Sequence, residues 1–239
     1  MNLLAIESSG QVASAAVIRD DALIAEYTLN NGLTHSQTLL PMIEEIMNSS
    51  KLEKESLDAI AISKGPGSFT GLRIGSATAK GLGLALNIPL AEVSTLLGLA
   101  YNLRECTKRL VCPIIDSRRR EVYGAIYRFS WENGEYACEC VMQDSALTLE
   151  AFLDKLNEMG QPCIFTGDAV NAYGDYIKEK TICDYQFASG RNLLVNAASV
   201  AMAGLDMYKE GRLVNADEHS PEYLRLSQAE REMLEKKGR

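Results

Sequence analysis

KGPGSFTGLRIGSATAKGLGLAL, residues 64–86, decides how the rest of this chain is read. The stretch leaves an apolar run at 57–63, turns at Gly65-Pro66-Gly67, and enters a helical pattern in which Gly71, Gly75, Ala79 and Gly83 recur every four positions. Residues four apart share a helix face, so this face is almost bare. A glycine costs about 1 kcal/mol relative to alanine inside a helix, and the compensating gain is close approach by a neighbouring backbone. That neighbour is either the protein's own sheet or the surface of a partner.

Upstream of it, residues 2–8, 14–19 and 22–29 read as three strands in two hairpins. Thr34 and Gln37 have the spacing of a capping box, ahead of a helix with a stripe of Leu39, Leu40, Ile43, Ile46 and Met47. Pro41 lies in that helix and predicts a kink or a late start. Residues 57–63 are a buried strand, 69–86 the small-residue helix, 88–93 a strand and 94–103 a helix. The order is βββαβαβα.

Downstream the order repeats. Strands are expected at 110–115, 121–129 and 136–142, a helix at 149–157, a strand at 163–166, a helix at 169–177, a strand at 184–187 and a helix at 193–208. The repeat is one of element order, with no shared motif. Two such units, each a mixed sheet with helices against it, make an α/β fold of the actin, Hsp70 and sugar-kinase superfold (ASKHA, RNase H-like) by analogy of topology. Residues 1–105 form the first lobe, joined by the C-terminal segment 194–239, and 106–193 form the second. The chain closes on SPEYLRLSQAEREMLEKKGR, a loop and then a charged tail read as a solvated helix or a disordered segment.

Composition narrows the function. The chain is 46% hydrophobic and 23% charged, ordinary for a soluble globular protein. Its net charge of -8 excludes nucleic-acid wrapping by bulk electrostatics but leaves room for a local basic patch. The longest weakly polar run, near 68–86, carries Arg73 and Lys80 and too many small residues to span a membrane. The opening MNLLAIESSG has no basic region and no cleavage site, so the cytoplasm is the expected compartment. Six cysteines with no CxxC pair, and two distant histidines, read as reduced structural thiols without a metal site.

Three motifs carry possible chemistry. Ile6 to Gly10, IESSG, ends a strand in a carboxylate, two hydroxyls and a glycine, where this superfold places a phosphate loop; an ordinary hairpin turn uses the same residues. GPGSFTG offers amides and hydroxyls ahead of a helix, which suits an anion, but no lysine follows Gly71, so it is not a Walker loop. The other reading of that motif is a rigid turn with a helix cap at Ser68 or Thr70. Glu7, Ser8, Ser9, Gly65, Gly67 and Ser68 are thus candidates for vestigial nucleotide or phosphate loops. DSRRREVY, 116–123, is either a salt-bridged hairpin turn or a contact for RNA or an acidic partner through Arg118, Arg119 and Arg120.

LTHSQTLLPMI (33–43), KGPGSFTGLRIG (64–75), AKGLGLALNIPL (79–90), EVSTLLGLA (92–100), DSRRREVY and PEYLR (221–225) together resemble the bacterial TsaB family, also called YeaZ, over nearly the whole chain. The resemblance implies the two-lobed fold and a role in making N6-threonylcarbamoyladenosine at position 37 of tRNAs that read codons beginning with A. It implies a non-catalytic partner of the catalytic subunit TsaD, working with the ATPase TsaE, a homodimer when alone, in contact with tRNA only indirectly and without a membrane. No cofactor of its own follows, although ATP or ADP at the complex interface stays open. The histidine pair that holds the metal in catalytic relatives falls on Thr95 and Leu99, which cannot act as imidazoles do. Glu7 stands where many members have Asp.

On this resemblance the partner surface is Leu39, Leu40, Ile43 and Met47 of the first helix with Leu72, Gly75, Ser76, Ala79 and Gly83 of the second. Gly75→Leu or Ala79→Trp is then expected to abolish association and leave the monomer folded. The competing function is an ATP-dependent phosphotransferase of the sugar-kinase or acetate-kinase type, using Glu7 and the GPGSFTG loop. A peptidase lacks any metal pair or nucleophile–base pair here.

Overall fold

The computed structural model describes residues 1–32 and 34–225. Its first half runs β1 (Asn2–Glu7), β2 (Ala13–Arg19), β3 (Ala22–Leu29), α1 (His35–Ser50), β4 (Ala59–Gly65), α2 (Phe69–Leu86), β5 (Leu90–Ser94) and α3 (Thr95–Tyr101). The second runs β6 (Leu110–Asp116), β7 (Glu121–Glu132), β8 (Glu135–Thr148), α4 (Leu149–Met159), β9 (Cys163–Thr166), α5 (Ala169–Lys180), β10 (Tyr185–Phe187) and α6 (Ala197–Lys209). One sheet is ordered β3-β2-β1-β4-β5 and the other, read in the same sense, β8-β7-β6-β9-β10. In both, the opening hairpins are antiparallel and the two crossover strands parallel. This is the duplicated α/β arrangement of the superfold named above.

Alternation along each strand builds three hydrophobic layers. In β1, Leu3 and Ala5 point to a central core shared with α3, α6 and the second sheet, while Leu4 and Ile6 point outward to α1 and α2. In β6, Val111 joins the central core and Leu110, Cys112 and Ile114 face α4 and α5. Helices α3 and α6 are therefore packed between the sheets, and the other four helices cover the outer faces. Because α6 packs on β1, β2, β4 and β5, the last helix among the described residues lies on the first sheet.

Several local expectations change. Thr34 caps α1 without its side chain; its carbonyl takes the Gln37 N–H and its hydroxyl makes no cap bond, so the capping box does not form. Helix α1 starts at His35 and continues through Pro41. Gln37 and Pro41 are both exposed, so the carbonyl deprived of its donor faces water rather than core. Strand β8 reaches Thr148, well past the expected end at Met142, because β7 continues opposite it across register shifts near Ile126. Helix α6 begins only at Ala197, where the Asn196 side chain accepts from the Ser199 N–H; residues 190–193 form a separate 3-10 turn. The expected tail lies in residues 226–239, outside the described residues. Among the described residues no helix is long and apolar enough to cross a membrane.

Candidate functional site

The bare face of α2 is turned inward. A Cβ placed on Gly71 would lie 2.0 Å from the Ser8 carbonyl oxygen, one on Gly75 2.2 Å from Ser8 Oγ, and one on Gly83 2.8 Å from Ala216 Cβ. Ser8 Oγ donates to the Gly71 carbonyl at 2.9 Å, so helix and loop meet at backbone contact. Leu39, Ile43, Met47, Leu72, Gly75, Ser76, Ala79 and Gly83 are all buried within the chain itself. Their expected place on a partner surface is corrected: they hold α1 and α2 to the first sheet. Gly75→Leu and Ala79→Trp are consequently lesions of the fold, not of association. Of that set only Leu40 is offered to solvent, at 55% exposure.

A second row of small residues lies on the opposite side of the same helix. Ala77, Gly81 and Ala85 also recur every four positions, about 200° from Ala79 at 100° per residue. All three are exposed, and a Cβ on Gly81 would meet nothing within 4 Å. Leu84, 58% exposed, flanks this row, and α1 packs beside α2 with exposed Leu40 and Pro41 on its own outer side. The row carried the same sequence signal as the inner one. Spacing alone did not say which face meets the sheet.

The paired loops ahead of α2 close on each other. Glu7, the last residue of β1, is fully buried; its Oε1 accepts from the Ser9 N–H at 2.6 Å and Ser9 Oγ at 2.5 Å, and its Oε2 accepts from Ser63 Oγ. Burial pushes this carboxyl above its ordinary value, with the serine hydrogen bonds pulling partly back. The Ser68 N–H donates to the Ser9 carbonyl at 2.6 Å, and a Cβ on Gly67 would sit 2.3 Å from that oxygen. The two loops are thus joined backbone to backbone. Ser68 also caps α2, its Oγ accepting from the Gly71 N–H at 3.3 Å. Gly65, at φ +126°, also lies under the Glu222 carbonyl, which a Cβ would approach to 2.3 Å.

Thr95 and Leu99 lie on α3 and are each 1% exposed, in the central core. The turn between β6 and β7 is the opposite case. Asp116 ends β6, and Arg118, Arg119 and Arg120 in the turn after it are exposed. Sequence reading also missed the cleft of about 1150 Å³ between the halves, lined in part by Lys64, Ser94, Tyr127 and Asp144. Asp144 there accepts from Tyr127 OH at 2.9 Å and from Ser94 Oγ, tying the two sheets together, and burial raises its carboxyl. No spacing rule joins residues that far apart in sequence.

Comparison with known proteins agrees with this architecture. The family model for TsaD, tRNA N6-adenosine threonylcarbamoyltransferase, matches residues 24–233. The "tRNA threonylcarbamoyladenosine biosynthesis protein TsaB" of Bacillus subtilis is 34% identical over 237 residues, covering 98% of this chain and 99% of that protein. Its namesake in Escherichia coli is 31% identical over 226 residues, covering 94% and 95%. Among solved structures, YeaZ from Pseudomonas aeruginosa superposes with a TM-score of 0.74 at 26% identity, covering 93% of this chain and 99% of that one. A second Pseudomonas aeruginosa structure, described as similar to peptidase YeaZ, gives 0.78 at 28% identity, covering 94% and 99%.

Proposed function

The chain belongs to the TsaB family, and from that premise we propose that it serves tRNA threonylcarbamoyladenosine biosynthesis as a non-catalytic subunit. On this reading it binds and activates a TsaD-like catalytic subunit, together with a TsaE-like ATPase, in the cytoplasm. It has no cofactor of its own; ATP or ADP belongs to the assembled complex, and a second copy of the chain occupies the same surface when the catalytic subunit is absent.

The observation that carries the proposal is the outer face of α1 and α2. Leu40, Pro41, Ala77, Gly81, Leu84 and Ala85 form a strip of exposed, small or apolar residues on two adjacent helices, bounded by the exposed charges of Arg73, Glu44 and Glu45. Small residues let another helix approach closely, and the two leucines supply apolar area that water covers poorly. The opposite, inner row is already used by the chain's own sheet, so the strip is surplus to folding. The non-catalytic part of the reading is supported by Thr95 and Leu99 in place of a histidine pair and by Glu7 being spent on internal hydrogen bonds. A phosphotransferase needs room for phosphate where Ser9 and Ser68 are bonded to each other.

Reconstitution tests it. Adding the chain to TsaD-like and TsaE-like subunits should stimulate ATP-dependent threonylcarbamoyl transfer to tRNA, while the chain alone turns over no ATP. Transfer that is indifferent to its presence, or ATP turnover by the isolated chain, contradicts the proposal.

A further inference from the structure

Arg118, Arg119 and Arg120 have φ of 75°, 56° and 58°, three consecutive non-glycine residues in the left-handed region. L-residues adopt that region at a cost, and such outliers persist only where the surroundings hold them. Here three elements do so. Asp116 Oδ1 accepts from the Arg118 N–H at 2.8 Å and from Tyr173 OH at 2.8 Å. Tyr173 OH in turn accepts from the Arg120 N–H at 3.2 Å, and the Arg120 carbonyl accepts from the Leu149 N–H at 2.9 Å. Helix α5 leaves helical geometry at Tyr173 itself, φ -131° and ψ 18°. The Asp116 side chain of β6, the Tyr173 side chain of α5 and the Leu149 N–H of α4 thus together fix a turn whose three arginines stay exposed.

The fixed turn does not satisfy its own charges. Among the described residues none of the three guanidinium groups enters an ion pair; Glu121, the nearest acid in sequence after them, pairs with Arg225 at 2.5 Å. Arg120 lies over the ring of Tyr176, 5.3 Å from its centroid, and Lys180 approaches the same ring at 5.9 Å. The salt-bridged hairpin left open by the sequence is therefore not what forms.

We propose that this turn grips the phosphate backbone of an RNA directly, where the family resemblance implies only an indirect contact, with the Tyr176 ring and its two cations as a flanking stacking surface; the inference rests on the tRNA role above. A guanidinium presents a planar fork of donors that matches phosphate oxygens, and three on one rigid turn reach adjacent phosphates with the backbone cost already met and only side-chain ordering left. A protein partner would need an apolar anchor, and none of the exposed large hydrophobic side chains belongs to residues 116–121 or to α5. With a net charge of -8 the chain cannot draw RNA from a distance. The contact is short-range, detectable on the isolated chain and strengthened where the assembly also holds the RNA.

The test is a salt titration of affinity for an unmodified transcript of a tRNA that reads codons beginning with A. It is run on the complex with the TsaD-like subunit and on the isolated chain. Replacing the arginines together, R118Q/R119Q/R120Q, should weaken binding by about 10-fold or more near 0.1 M salt. The slope of log affinity against log salt should become shallower by roughly 2, at 0.7 to 0.9 per phosphate contact. R118K/R119K/R120K keeps the charge and should keep the slope with a smaller loss of affinity. Unchanged affinity and slope in the glutamine variant overturn the inference, as does loss of its co-elution with the TsaD-like subunit, which would make the turn a protein contact. If the wild-type chain does not assemble with that subunit, the functional reading fails, and the titration of the isolated chain still decides whether the turn binds RNA.

Discussion

The turn after β1 and the turn after β6 occupy equivalent places in two sheets of the same strand order, and they do opposite things. Each strand ends in a carboxylate, Glu7 or Asp116, that accepts from the backbone N–H two residues on. Each is followed across the sheet by a glycine of positive φ, Gly65 at +126° and Gly167 at +108°. In the first half the carboxylate is buried, the serines beside it bond inward, and the turn disappears under α2. In the second half the carboxylate anchors three arginines that stay in water. One half has spent its loop on internal closure and the other on presentation, so duplicated topology does not imply duplicated function.

The largest effect expected from breaking this contrast is at the closed side. Gly75→Leu should cost about 3 kcal/mol or more, or prevent folding, since its side chain enters space held by Ser8. Gly81→Leu, on the open outer face of the same helix, should instead raise the denaturation midpoint, through up to about 1 kcal/mol of helix propensity; equal effects of the two would erase the inner and outer assignment. Next come the two carboxylates. Glu7→Ala strands the Ser9 N–H and Ser63 hydroxyl in a buried site and should cost about 2 to 3 kcal/mol, against under about 1 kcal/mol for Asp116→Ala, both read from urea denaturation.

A pH titration sharpens the same pair. Because burial raises the Glu7 carboxyl above 4.5, the folded state holds its proton more tightly than the unfolded chain. Its contribution to stability is full below about pH 4.5 and is lost as pH rises through the raised value. Glu7→Gln removes that term, so its unfolding free energy should fall less than the wild type's between about pH 4.5 and 7. The smallest effect is expected at the open side. Arg119→Gly relieves one left-handed residue and should raise stability by about 0.5 to 1 kcal/mol, while weakening RNA binding, a trade typical of functional strain.

Much of this was legible in the residues. Hydrophobic periodicity gave, in order, the sixteen strands and α-helices of the described residues, with α2 at Phe69–Leu86 and β9 at Cys163–Thr166 as expected. Boundaries failed where the deciding partner is remote: β8 extends because β7 does, and α6 waits for the Asn196 cap. At the candidate site, the two small-residue rows of α2 were both present in the sequence. A missing Cβ announces close approach but not the identity of what approaches, so the row alone leaves sheet and partner both open, and the one that faces Ser8 belongs to the sheet. The left-handed arginines had no sequence signal, since glycine or asparagine is the usual mark of that conformation.

The central claim is that the outer face of α1 and α2, and not the inner one, meets the catalytic partner. Co-elution of purified Leu84→Glu with a TsaD-like subunit tests it most directly. Because Leu84 is 58% exposed, the variant should fold like the wild type and lose the complex. A Leu84→Glu chain that co-elutes as fully as the wild type would contradict the account.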